Sequence, residues 1–147
     1  MAVRETILDN VVITLKTITL VNSYNNNIGL VTRERFNWNS LKPKDFPAAL
    51  VTWMGDDKEE IGISGQNILS KINLIIRGVV YAQKNLENEI NQFADDIEIS
   101  LCVDTYRGGN AEYTTPRGIT VYQAEKIDFA IFDSRFEILY QYIYGSP

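Results

Sequence analysis

The sequence contains no histidine and a single cysteine, Cys102. The first absence removes His-based triads, imidazole metal ligands and the commonest acid–base catalyst. The second excludes an intrachain disulfide and any Cys-rich zinc site, so no stapled secreted scaffold is expected. Basic residues are also in deficit: 14 Lys and Arg stand against 19 Asp and Glu, a formal charge of -5. Sequence-independent nucleic-acid binding draws most of its affinity from a basic surface, and no run of Lys or Arg supplies one. Long apolar runs are missing too. None approaches the roughly 20 residues of a membrane helix. The opening MAVRETILDN lacks the continuous apolar stretch of a signal peptide. Folding in a cytoplasm is expected, with action there or departure inside a particle. GISGQN, from Gly62, lacks the Gly-Lys-Ser or Gly-Lys-Thr ending of a phosphate loop.

What is present is an ordinary globular mix, 45% hydrophobic and 22% charged, over a length that suits one domain spanning residues 1–147. Val3, Ile7, Val11, Leu15 and Ile18 recur at spacings of three and four, so residues 3–20 read as an amphipathic helix. Thr14, Thr17 and Thr19 weaken its end, because branched side chains lose rotamer freedom there. An Asn-rich turn follows, then a short strand over 28–33, an irregular crossing over 34–46 and a strand over 48–54 led in by Pro47. GDDKEEIGISGQ, residues 55–66, reads as a loop or hairpin end. The clearest strand is 70–82. It places Ile72, Leu74, Ile76, Gly78 and Val80 on one face, and Ile75, Arg77, Val79 and Tyr81 on the other.

A second helix over 85–100 carries Leu86, Ile90, Phe93, Ala94 and Ile97 as its stripe, with Asp95 and Asp96 among its polar residues. Residues 104–118 read as a mobile loop or an extra hairpin. Strands over 119–129 and 135–144 end the chain, with Phe136, Ile138, Tyr140, Tyr142 and Tyr144 on one face of the last. The expected fold is α+β: a mostly antiparallel sheet of four to five strands with two helices packed on one face.

Two helices on one face leave the other bare. Ile75, Val79, Leu139 and Ile143 are then apolar residues turned away from the helices, which points to subunit packing. Arg33 and Arg35 precede Phe36 and Trp38, residue types enriched where interfaces carry most of their energy. The same segment equally reads as a loop folded onto its own core. Arg107 and Arg117 flank GGNAEYTTP, a loop that either reaches a partner or stays flexible. Asp56, Asp57, Glu59 and Glu60 could bind a hard cation, but their spacing does not match a calcium loop, and a solvated loop is the ordinary reading. No cofactor is expected.

The opening ILDNVVITLKTI, the Asn-rich turn, FPAALVTWMGDDKEE, the strand INLIIRGVVYA feeding the helix NLENEINQFADDI, and the closing FEILYQYIYG follow one another in a telling order. That order resembles the tail terminator or tail-completion proteins of long-tailed bacteriophages. The likeness covers nearly the whole chain, as a pattern and not as a strict motif. Residues 102–118 depart from it, being long and polar, and the late strands are longer than the pattern implies. These departures leave another tail or neck protein open.

The resemblance implies a homo-oligomer that closes into a hexameric ring on the tail tube. Such a ring stops tube polymerisation, joins the tube protein to neck or connector proteins, and anchors the last sheath ring where the tail is contractile. DNA passes through the lumen without specific binding. The place implied is the tail–neck junction of the virion, after assembly in the host cytoplasm. Asp56, Asp57, Glu59 and Glu60 then take a lumen or ring-edge position, and no enzymatic activity is expected. Closure needs head-to-tail interfaces that rotate back on themselves. The rivals are another neck, head-closure or baseplate protein of the same particle and, less favoured, a hydrolase using two convergent carboxylates.

Overall fold

The computed structural model describes residues 2–35, 40–62, 65–82, 84–122 and 128–147. Helix α1 covers Val3–Leu15 and buries Ile7, Leu8, Val11 and Leu15. It stops earlier than its periodicity suggests. Thr17 Oγ1 donates to the carbonyl of Thr14, and the amides of Thr17 and Ile18 bond three residues back, tightening the last turn. Ile18 still reaches the core, fully buried, before a single 3-10 turn at Leu20–Asn22.

Strand β1, Leu30–Thr32, pairs in parallel with the start of β2, Ala48–Ile61. Strand β3, Asn67–Tyr81, is antiparallel to β2 and to β5, Phe129–Ile143. Strand β4, Tyr113–Tyr122, pairs antiparallel with β5, giving one five-stranded sheet in the order β1-β2-β3-β5-β4. Helix α2, Leu86–Val103, lies with α1 on the same face. The α+β architecture, a mostly antiparallel sheet with two helices on one face, is as the sequence predicts.

Side chains alternate across β3 as period two requires. Ile72, Leu74, Ile76 and Val80 sit under the helices with Ala130, Phe132, Phe136, Ile138 and Tyr140 of β5. Phe93 of α2 meets Phe132 edge-on, with centroids 5.8 Å apart. Gly78 lies opposite Phe132, and a Cβ there would stand 2.3 Å from the ring. The glycine is the space into which Phe132 lies down.

Four expectations are corrected. The acidic stretch is not a loop: Asp56–Ile61 continues β2, registered against Asn67–Ile72 of β3. At the join, Met54 and Gly55 stand opposite the single Asn73, a bulge made possible by Gly55 at φ +108. Second, residues 113–118 belong to β4 and not to a loop. Third, β5 begins at Phe129, well before residue 135. Fourth, Asp96 is fully buried, although it was expected among the solvated residues of its helix. It accepts hydrogen bonds from Asn25 N and Nδ2 at 3.1 and 3.0 Å and from Asn26 Nδ2 at 3.0 Å, so it pins the Asn-rich turn against α2. The last part of the strand expected over 119–129 includes residues 123–127, outside the described residues.

Candidate functional site

The bulge decides where the acids point. Regular alternation would send residues 55 and 57 under the helices with Trp53; the extra residue sends Asp56 there instead. Its side chain is 3% exposed. Asp56 Oδ2 accepts from Arg4 Nη1 at 3.0 Å, Ser70 Oγ at 3.0 Å and Tyr140 Oη at 3.2 Å, while Oδ1 accepts from Trp53 Nε1 at 2.7 Å. The Arg4 guanidinium also lies 4.4 Å over the Trp53 ring. Four donors from α1, β2, β3 and β5 thus converge on one carboxylate. Burial pushes the Tyr140 phenol up from its ordinary value, and the Asp56 charge beside it adds to the shift. Such a carboxylate is an anchor: its lone pairs are engaged by groups of the fold itself.

Its neighbours differ. Asp57, Glu59 and Glu60 are exposed, as a solvated run would be. Asp57 accepts from Asn73 Nδ2 at 3.1 Å. Beside them Lys58 donates to Tyr142 Oη at 2.7 Å. Lys58, Glu60, Ile68, Tyr142 and Tyr144 line a groove of about 520 Å³ where the sheet runs on past the helices.

The open face, away from the helices, holds a second polar centre that sequence reasoning missed. Arg77 donates to Asp133 through Nε at 2.8 Å and Nη2 at 3.0 Å, and Tyr122 Oη donates to the same carboxylate at 3.0 Å. Its trace in the sequence is slight: Arg77 is one of two charges in β3, and Asp133 is one of three in β5. Ile75 flanks it, half-buried, and Leu139, also half-buried, lies farther along β5 opposite Lys71. Ile143 is 68% exposed. Val79 is only 1% exposed and offers no partner a surface, which removes it from the interface candidates. At its end of the sheet Phe46 folds onto the open face, with its ring 5.8 Å from Tyr81 and 5.5 Å from Phe129.

Arg33 straps the segment after β1 to α1, reaching Glu5 at 2.9 Å and Asp9 at 3.3 Å. The hydrogen bond from Arg33 holds the Glu5 carboxyl below its ordinary value. Arg35 is exposed and, with Arg33, Thr52, Met54, Ile75 and Arg77, lines a groove of about 560 Å³ at the β2 edge. Phe36 and Trp38 lie outside the described residues. Arg107 is another correction. It is fully buried, with its guanidinium turned back onto the carbonyls of Leu101 and Asp104 at the end of α2. A cation there complements the helix dipole, and burial pushes its pKa down. Arg117 stays at the surface on the β4 bulge, donating to Glu137 at 2.8 Å.

The structure therefore gathers Arg33, Arg35 and Ile75 around one groove, with Leu139, Ile143 and Arg117 elsewhere on the open side; the acids are split between an anchor and a solvated strand end. Among the described residues, no cluster of three or more His, Cys, Asp or Glu is placed to hold a metal, and no helix is long and apolar enough to cross a membrane. Compared with known proteins, the chain matches no family model and no curated sequence.

Proposed function

We propose that this chain is a structural protein of the tail terminator kind: a ring that caps a phage tail tube, stops its growth and presents a surface to the neck. The observation that carries the reading is the distribution of surface. Helices cover one side of the sheet, while the open side and both sheet edges carry apolar side chains that a lone subunit leaves in water, among them Trp53, Ile119, Val121 and Ile143. Surfaces of this type mark contacts with other protein chains. The anchors are internal: Asp56 and Asp96 each tie together elements of one subunit, so the fold is held rigid while the periphery is left for partners.

The experiment is negative-stain imaging of the purified protein mixed with isolated tail tubes. A cap at one tube end, with further tube growth blocked, is the expected result. Binding to connector rings alone would make it a neck protein. Binding to neither would remove the phage reading.

A further inference from the structure

We propose that copies of this chain join head to tail by pairing the outer edge of β2 in one copy with the outer edge of β4 in the next, continuing one antiparallel sheet across the seam. The proposal deepens the ring reading and rests on it only for closure of the ring.

Strand β1 pairs with β2 only at Ala48–Leu50, so among the described residues β2 has no strand on its outer side from Val51 to Ile61. Strand β4 ends the sheet order and, among the described residues, has none on its outer side. Three successive antiparallel pairings, β2 with β3, β3 with β5 and β5 with β4, make β2 and β4 run in opposite directions. A neighbour in the same orientation therefore brings its β4 antiparallel to β2. Two β2 edges meeting about a two-fold axis would set the acidic run against itself, a like-charge juxtaposition that destabilises a sheet.

The two edges also match in detail. Each carries one bulge: Met54 and Gly55 opposite Asn73 in β2, and Arg117 as the extra residue of β4 before Gly118. A bulge resets which face the following residues take. If Thr52 pairs with Thr120 and Trp53 with Ile119, the two bulges fall opposite each other and the faces stay in step on both sides. Asp56 then meets Pro116 on the helix side, and Asp57 meets Thr115 on the open side. A shift by two residues separates the bulges and sets helix-side against open-side residues between them.

In the matched register Trp53, 44% exposed in the single chain, covers Ile119, itself exposed, and Asp57 lies diagonal to Arg117 on the same face. Diagonal neighbours are within reach of long side chains, so the charges are complementary. Bulges and an edge proline usually blunt a sheet against indiscriminate pairing. Here they select one register.

The test uses the full chain carrying Cys102→Ser, Thr52→Cys and Thr120→Cys. It is oxidised both concentrated in solution and bound to tail tubes. The expected result is a ladder of disulfide-linked oligomers on a denaturing gel, since directly paired strand residues approach within disulfide reach. Each single-cysteine variant should stay monomeric, and their mixture should stop at dimers. If the first pair disturbs the melting curve, Asp57→Cys with Thr115→Cys reports the same register. Dimers from Thr52→Cys alone would place β2 against β2 and overturn the proposal. Capped tubes whose cysteines do not link would overturn it while leaving the ring reading intact. A ladder in solution without binding to tubes would keep the seam and remove the tail reading. No ladder in either state overturns the seam.

Discussion

Replacing Asp56 by alanine removes one carboxylate and strands its donors unequally. The hydroxyls of Ser70 and Tyr140 belong to fully buried residues, so neither regains water. Leaving a buried donor unsatisfied costs about 1–3 kcal/mol each. Arg4 is different: its side chain is 28% exposed and can turn to solvent. Trp53 is also partly exposed. Breaking a buried ion pair commonly costs about 3–5 kcal/mol, and the solvent access of Arg4 places this case near the lower bound. We expect Asp56→Ala to destabilise by about 3 kcal/mol. At about 2–4 °C per kcal/mol for a domain of this size, the melting temperature falls by roughly 6–12 °C. Urea denaturation should show a lower midpoint with an unchanged slope. Asp57→Ala is the control, since its carboxylate is exposed and bonds only Asn73 among the described residues; it should stay within about 0.5 kcal/mol of wild type. If the two variants melt together, the bulge does not aim Asp56 into the protein and the anchor is refuted.

Gly78→Ala should destabilise by about 1–3 kcal/mol, because the added methyl meets Phe132, which Phe93 holds in place; a thermal melt indistinguishable from wild type would contradict it. Asp96→Ala removes three hydrogen bonds from the Asn25–Asn26 turn, so we expect a loss of about 2 kcal/mol. Hydrogen exchange should accelerate in residues 22–27 before the β3 and β5 amides respond. Glu5, held below its ordinary value of 4.5 by Arg33, adds stability that is present above that pH and is lost as pH falls below it. The pair is exposed, so Arg33→Gln should flatten the acid limb of the stability profile only slightly, by less than about 1 kcal/mol. A steeper limb in the variant would reverse the sign of the argument.

Much of this fold could be read from local pattern. The two periodicities, 3.6 over α2 and two over β3, reflect burial on one side of a helix or strand, and burial is what both the pattern and the structure record. The strand nature of Asp56–Ile61 was hidden because its acids look like a loop by composition. What holds it extended is the β3 partner, a tertiary fact. Asp96 and Arg107 failed for a related reason. Charge predicts exposure until a specific set of donors or carbonyls is assembled around it, and those come from residues distant in the sequence or from backbone groups. Of the candidate interface residues, Ile143 and Arg117 keep an accessible surface, whereas Val79 is lost because it is buried within the sheet, between its Ala48 and Ile131 partners.

The sheet order bears on how the chain reaches this state. The β2–β3 and β4–β5 pairs are hairpins between strands consecutive in sequence, whereas β3 joins β5 only after α2 and β4 have been made. Hairpins form in about 1–10 μs, but pairing strands separated by two whole elements must first overcome the entropy of closing that loop. We therefore expect the β3–β5 pairing, with Gly78 opposite Phe132, to be the late, rate-limiting event. Substitutions along this pairing should slow refolding, while substitutions at the far ends of the two hairpins should chiefly hasten unfolding.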